Sequence, residues 1–101
     1  MTPEGRVKAK LNRLLAKYET IYKFMPVPGG YGSSSLDYVL CVGGRFLAIE
    51  TKAPGKQPTP RQHKIIEQIE AAGGLVFVFD GDEKCLREIK KVLDNYATGT
   101  R

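Results

Sequence analysis

The chain has 101 residues, 42% of them hydrophobic, and a net charge of +5, which fits one small domain over residues 1–101. Two cysteines and one histidine are too few for a zinc site built from those residues alone. No apolar run reaches the roughly 18 residues of a membrane helix, and no secretory signal follows the N-terminus, so we expect a cytoplasmic protein without a membrane partner. The excess of Lys and Arg favours a polyanionic partner, first nucleic acid and second an anionic membrane surface.

The first predicted element is a helix that begins after Thr2 and Pro3, a pair typical of an N-cap and a first helical position. Apolar residues recur at helical spacing from Val7 to Tyr22, which predicts a buried helix face over this stretch. Residues 6–23 also concentrate positive charge: Arg6, Lys8, Lys10, Arg13, Lys17 and Lys23. Such a run is usually a solvated helix face, so it supports nucleic-acid binding without establishing it.

A short strand is predicted over residues 23–27, where Pro26 and Pro28 indicate an edge position or a strand end. Residues 29–35, GGYGSSS, follow as a flexible loop that lacks the Gly-Lys-Ser/Thr signature of a phosphate-binding loop. We interpret Tyr31 as part of a connector. The alternative is a mobile flap that brings Tyr31 to a sugar or a base.

A hairpin is the central predicted element. Strands over 37–42 and 45–52 flank Gly43-Gly44, a dipeptide suited to a two-residue turn. Such a turn fixes the register, because each residue before it faces the residue equally far after it. Cys41 lies in the middle of the first strand and is interpreted as a small buried hydrophobic residue.

The predicted register places Asp37 directly opposite Glu50. Opposed side chains share a face at roughly 4.5–5.5 Å between Cβ atoms, where like charges repel. Two carboxylates at that spacing favour a divalent cation between them. Lys52, two residues after Glu50, lies on the same face and completes a set suited to phosphodiester hydrolysis. The alternative is an edge hairpin whose solvated end carries scattered charges.

Two helices and one strand complete the chain. A helix over 60–72 begins with the same Thr-Pro signature as the first helix and ends before a Gly-Gly pair. The apolar run 75–79 predicts a strand that is buried on both faces and parallel to the strand before the helix. Residues 80–82 are interpreted as a turn with Asp82 as an N-cap, in preference to a second metal site. The last helix is predicted over 83–96.

These motifs, in this order, resemble the PD-(D/E)xK nuclease superfamily and, within it, the virus-type replication-repair nuclease (VRR-NUC) domain. The resemblance covers roughly residues 4–80. The matching residues are Asp37, Glu50-Thr51-Lys52, the preceding Gly29, Gly30 and Gly32, Gln62 on the next helix, and Gly73-Gly74 before LVFVFD. Leu36 departs from the pattern, because the family often has proline before the aspartate.

The order of elements predicts an α/β fold that matches the restriction-endonuclease-like αβββαβα core, a mixed central sheet flanked by helices. The resemblance implies a structure-specific DNA endonuclease dependent on Mg²⁺ or Mn²⁺. In that interpretation Asp37, Glu50 and the backbone carbonyl of Thr51 bind the metal. Lys52 positions the attacking water or stabilises the phosphate, and Gln62 lies beside the catalytic centre.

The resemblance also gives Glu4 a place near the metal, with an equally weighted alternative in which Glu4 only complements the helix dipole. Without the resemblance, Gln62 would be an exposed polar residue. We expect phosphate contacts from six cations: Arg6, Lys10, Arg13, Lys56, Arg61 and Lys64.

Small stand-alone members of the family, often phage-encoded, resemble homodimeric nucleases that cut branched DNA such as Holliday junctions. A domain with one active site needs a partner to cut two strands symmetrically, so we expect a homodimer. Two alternatives stay open. One is a non-catalytic nucleic-acid-binding module, and the other is an accessory protein of a phage or repair complex in which the motif is accidental.

Overall fold

The computed structural model describes residues 1–27 and 35–98, so the glycine-rich loop with Tyr31 lies outside the described residues. In this part of the chain, three helices accompany one four-stranded sheet. The elements are α1 (Pro3–Leu15), β1 (Ile21–Phe24), β2 (Tyr38–Val42), β3 (Arg45–Thr51), α2 (Pro60–Ala71), β4 (Leu75–Phe79) and α3 (Glu83–Thr98). Among the described strands the order is β1-β2-β3-β4, and only the β3–β4 pair is parallel. The prediction of an α/β protein with a mixed sheet is confirmed.

The hairpin of β2 and β3 has the predicted turn and register. Gly43 and Gly44 take φ values of 58° and 80°, a left-handed pair that closes a two-residue turn matched to the twist of the strands. Val42 then pairs with Arg45, and the predicted register continues to the last ladder pair, Tyr38 with Ile49. The ladder stops one pair earlier than predicted, so the expected pair of Asp37 with Glu50 is not part of it, and each strand is one residue shorter than predicted. Asp37 and Lys52 therefore lie just beyond the strand ends.

The sheet separates two apolar clusters, because side chains alternate between its faces. The larger cluster joins α1 and α3 to one face and contains Val7, Leu11, Leu14, Leu15, Tyr38, Leu40, Val42, Leu47, Ile49, Phe79, Ile89 and Leu93. The smaller cluster joins α2 to the other face and contains Leu36, Ala48 and Ile65. Among the described helices, none has the length and apolar character needed to cross a membrane.

The end of α1 was predicted incorrectly. The helix stops at Leu15, although apolar spacing extends to Tyr22. Ile21 and Tyr22 instead begin β1 and pair with Val42 and Cys41. The strand ends at Phe24, three residues before the predicted end, and Pro26, which has no N–H to donate, follows closely. Tertiary pairing with β2 outweighed the helical periodicity.

Two burial predictions were also wrong. Cys41 is exposed, because the part of the sheet face that carries it lies outside the cluster made by α2. The strand β4 is an edge strand, and Val78 on it is exposed while Phe79 is buried. A continuous apolar run therefore marked a strand correctly but overestimated how much of it is covered. The other predicted features of β4 are confirmed, including its parallel pairing with β3.

Gly43 provides a test of the turn. A Cβ at this position would overlap the carbonyl oxygen of Tyr96 on α3, in addition to adopting a left-handed conformation. We expect Gly43→Ala to lower the free energy of unfolding by roughly 3 kcal/mol, measured by urea denaturation. Gly55→Ala is the matched control, because Gly55 also has positive φ but open space around it. Its expected cost is about 1 kcal/mol. Equal costs would contradict the close contact with Tyr96.

Candidate functional site

The site lies at the end of the hairpin away from its turn, where two carboxylates are joined by hydrogen bonds. The backbone N–H of Asp37 donates to Oε1 of Glu50 at 3.1 Å. In return, the backbone N–H and the hydroxyl of Thr51 donate to Oδ2 of Asp37 at 3.0 and 2.6 Å. Each acid thus accepts from the strand that carries the other. No hydrogen bond within the described residues engages Oδ1 of Asp37, which leaves this oxygen for a ligand.

Glu50 is a buried acid, with only 3% of its surface exposed. Burial raises the pKa of Glu50 above its usual range, and the neighbouring charge of Asp37 raises it further. The Asp37 N–H and the ammonium of Lys52 act in the opposite direction. The Nζ of Lys52 lies 3.7 Å from Oε2 of Glu50, close enough for an ion pair but longer than a direct hydrogen bond. Negative charge at this site is therefore only partly compensated.

Gln62 connects this site to the first turn of α2. Its Nε2 donates to Oε2 of Glu50 at 2.6 Å, and its Oε1 accepts from the backbone N–H of Thr59 at 2.9 Å. The Thr59 hydroxyl accepts from the Gln62 N–H, which completes a capping box. A glutamate could complete the same box but would present a second charge to Glu50. The amide is the residue type that satisfies both partners.

Leu36 fixes the chain just before Asp37. Only 1% of its surface is exposed, and it packs with Ala48 and Ile65 in the cluster beneath α2. Burial of this side chain holds the backbone where the family often has proline, so the departure noted in the sequence leaves Asp37 well positioned. The same cluster positions α2, which carries Gln62.

Two contacts near the site were missed by the sequence analysis. The Thr51 hydroxyl binds Asp37, although only the Thr51 carbonyl was assigned a role. The buried Tyr38 hydroxyl donates to Oδ1 of Asn12 at 2.8 Å and ties β2 to α1. Burial, and after it the charge of Asp37, raises the pKa of Tyr38 to about 12, which keeps this hydroxyl neutral. A polar residue on the inner face of an otherwise apolar strand was the signal available for Thr51.

Glu4 lies within electrostatic range of the site, since its charge contributes to the raised pKa of Glu50. Its carboxylate forms an ion pair with Lys8 at 3.5 Å, one turn along α1. It makes no hydrogen bond to Asp37 or Glu50 within the described residues. The structure therefore places Glu4 near the site without joining it to the two acids.

The predicted phosphate contacts fall into two groups. Lys56, Arg61 and Lys64 are exposed, in the loop before α2 and on α2 itself, the helix whose first turn carries Gln62. Three others lie along α1: Arg6, Lys10 and Arg13. Arg6 and Lys10 line a cavity with Pro54, close to Lys52 in the chain. The Nζ of Lys10 also contacts Glu83 at 2.8 Å, so its charge is partly neutralised.

The donor set is compatible with a hard divalent cation. Within residues 1–27 and 35–98, no group of three or more His, Cys, Asp or Glu side chains is arranged to hold a metal ion. The site instead offers the two carboxylates of Asp37 and Glu50. Oxygen ligands of this kind suit Mg²⁺ or Mn²⁺, and a cation would compensate the charge that raises the pKa of Glu50.

Comparison with known proteins identified no relative: no family model, no curated protein and no solved structure matches the chain. The resemblance to the VRR-NUC domain therefore rests on the motif residues and their order. Any function has to be argued from the chemistry of the site, because an α/β fold hosts many activities.

Asp37 allows metal binding to be tested by stability. We expect Mn²⁺ or Mg²⁺ to raise the melting temperature of the wild type. At a metal concentration one hundred times the dissociation constant, the free energy of unfolding should increase by about 2.7 kcal/mol. Asp37→Asn should lose most of this effect yet remain folded, since the amide oxygen still accepts from Thr51. The stabilisation should weaken as the pH falls through the raised pKa of Glu50, because a protonated carboxyl no longer binds metal.

The control for this experiment is Asp82→Asn. Asp82 accepts from the N–H of Cys85 at the start of α3, and asparagine is an equally good N-cap. Its metal response should match the wild type. Equal stabilisation of the Asp37→Asn protein would contradict a metal site at Asp37.

Gln62→Glu tests the link between α2 and Glu50. Glutamate is ordinarily favourable at this capping-box position, but here it would replace a hydrogen bond to Glu50 with charge repulsion. We expect a loss of about 2 kcal/mol in the free energy of unfolding at pH 7. The loss should shrink at lower pH, because Glu50 takes up a proton early. Gln68→Glu makes the same charge change at an exposed position of α2, and should alter stability by no more than about 0.5 kcal/mol.

Proposed function

We propose that the protein is a metal-dependent, structure-specific DNA endonuclease built on a restriction-endonuclease-like core. The observation that carries the proposal is the geometry at the end of the hairpin. The Asp37 N–H donates to Glu50 and the Thr51 N–H donates to Asp37, with Lys52 and Gln62 both directed at Glu50. Two acids kept together at a cost in electrostatic energy are typical of a site that binds a cation.

Asp37, Glu50 and the Thr51 carbonyl are the proposed ligands of Mg²⁺ or Mn²⁺. Within the described residues no hydrogen bond engages Oδ1 of Asp37, and the charge of Glu50 is only partly compensated, which supports this assignment. Such an ion, when bound, lowers the pKa of a water molecule and neutralises charge on a phosphate.

The other residues act through charge and position. Lys52 holds a positive charge beside Glu50, where the negative charge of a phosphate undergoing attack would increase. Its long contact with Glu50 leaves ammonium donors for a phosphate oxygen or the attacking water. Gln62 is proposed as a positioning residue, because it fixes Oε2 of Glu50 from the rigid start of α2. Glu4 is retained as a nearby acid that could assist with a second water or ion.

Cleavage of a labelled four-way DNA junction tests this proposal. We expect the wild type to cut the junction with Mg²⁺ or Mn²⁺, to leave a linear duplex of matching sequence intact, and to be inactive in EDTA. Lys52→Ala should lower kcat by a factor of about 100 or more, because the lost charge acts on the reacting phosphate. Lys56→Ala removes the same charge from an exposed loop position, so it should change KM with little effect on kcat.

The result also separates the competing functions. Cutting of both the junction and the linear duplex would support nuclease activity but contradict specificity for branched DNA. Binding of DNA without cutting in any metal would overturn the catalytic proposal in favour of a nucleic-acid-binding module.

We also propose that two copies associate through the open part of the sheet face. Tyr22, Cys41 and Phe46 lie in one row across β1, β2 and β3, with Phe24 beside them. The exposed fractions of Tyr22, Phe24 and Phe46 are 68%, 52% and 44%. Exposed aromatic groups on an uncharged surface are typical of an interface centre. Two chains that each carry a charge of +5 would repel least where they meet through such a face.

Sedimentation velocity tests the dimer at micromolar concentration. We expect the wild type to sediment as a dimer and Tyr22→Ser with Phe24→Ser to sediment as a monomer, because the interface loses its aromatic contacts. Lys23→Ser is the control, since Lys23 lies between them on the same strand but points to the opposite sheet face. A wild type that is strictly monomeric, or a double variant that stays dimeric, would rule out this interface.

A further inference from the structure

A groove between α1 and α3 is lined by five cations. They are Lys10, Arg13 and Lys17 from the first helix and the turn after it, and Arg87 and Lys90 from the last helix. Leu14 and Leu86 line the same groove. Of the five residues, only Lys10 and Arg13 were expected from the sequence to meet phosphate. The tertiary structure adds a second row of charge from α3.

Most of this positive charge is uncompensated. Lys90 pairs with Asp94 at 2.8 Å, and Lys10 pairs with Glu83 at the same distance. Arg13, Lys17 and Arg87 form no ion pair within the described part of the chain. These three side chains are exposed, so they keep full freedom to contact an anion. Several cations along one groove suit a polyanion, which carries a row of charges, better than they suit a small anion with a single charge.

The groove adjoins a second cavity. Lys10 lines both the groove and the cavity that contains Arg6 and Pro54. Pro54, which lines this cavity, follows Lys52 by two residues in the chain. Two acids also line the cavity, and each accepts a local backbone hydrogen bond. Asp80 accepts from the backbone N–H of Gly55, and Asp82 accepts from that of Cys85.

We propose that the groove binds the sugar–phosphate backbone of a DNA arm outside the cleavage site. The statement that this arm lies outside a cleavage site rests on the proposed nuclease function. Binding of phosphates by the groove does not depend on that function. The groove supplies affinity without sequence information, since its donors are Lys and Arg side chains directed at the surface. A DNA arm held along α1 and α3 would leave the aromatic face of the sheet free for a second copy.

Salt-dependent binding tests this proposal. The wild type and Arg13→Gln with Arg87→Gln are titrated against a labelled four-way junction and a labelled duplex, in EDTA to prevent cleavage. The slope of log K against log salt concentration should become less steep by about 1.8, because each lost phosphate contact contributes about 0.9. Binding of both DNA probes should weaken by a similar factor. Arg13→Lys with Arg87→Lys retains both charges and should preserve the slope.

The matched control is Lys23→Gln with Lys91→Gln. It removes the same charge from exposed positions that do not line the groove, and it should leave the slope near that of the wild type. A lysine footprint on the unmodified protein provides an independent test. DNA should protect Lys17 and Lys90 from acetylation but not Lys23. An equal slope change in both Gln pairs, or no protection at Lys17, would overturn the proposal.

The outcomes distinguish this inference from the nuclease proposal. If the Arg13→Gln with Arg87→Gln variant changes the salt slope but the wild type never cleaves DNA, DNA binding by the groove is supported and the nuclease proposal is contradicted. If the wild type cleaves DNA but the variant leaves the slope unchanged, the nuclease proposal is supported and DNA binding by the groove is contradicted. Binding of the wild type to phosphatidylserine vesicles, with no binding of either DNA probe, would replace the groove's nucleic-acid partner by a membrane surface and overturn the proposal.

Discussion

Two carboxylates that repel each other are held together at the end of a hairpin by hydrogen bonds from the opposing strand. Asp37 donates its backbone N–H to Glu50, and the Thr51 N–H and hydroxyl donate to Asp37. A charged carboxylate forms strong hydrogen bonds with such donors, which offsets part of the repulsion. Burial is the main cause of the raised pKa of Glu50, and the remaining repulsion from Asp37 adds to it. The strands can hold this arrangement only if their register is correct, so the Gly43-Gly44 turn is a condition for the site.

The rest of the fold supports that arrangement from both sides of the sheet. On one side, Leu36 packs beneath α2, and the capping box of the helix directs Gln62 at Glu50. On the other side, the larger core anchors α1 and α3 to the hairpin, with Tyr38 bonded to Asn12. These supports leave the polar groups satisfied, since no buried side-chain nitrogen or oxygen in the described residues lacks a partner. The side chains proposed to act on phosphate are therefore held by hydrogen bonds from both sides of the sheet.

The two faces of the sheet differ in charge, and this difference organises the proposed interactions. The face covered by α1 and α3 carries the cations of these two helices. The other face is covered in part by α2, and its uncovered part presents aromatic side chains. A polyanion and a second positively charged chain have opposite electrostatic requirements. The proposed DNA arm and the proposed partner copy therefore occupy different surfaces without competing.

The sequence by itself determined the hairpin and its register as far as Tyr38 with Ile49, because a two-residue glycine turn fixes pairing through local backbone geometry. It also determined the capped starts of the helices and the parallel pairing of β4, which local residue preferences and chain length control. Only the tertiary structure decided where α1 ends, since pairing of Ile21 and Tyr22 with β2 outweighs helical periodicity. It also decided that Gln62 bonds to Glu50 and that α3 adds charge to the groove. These contacts join residues distant in the chain, and they depend on how the helices pack across the sheet.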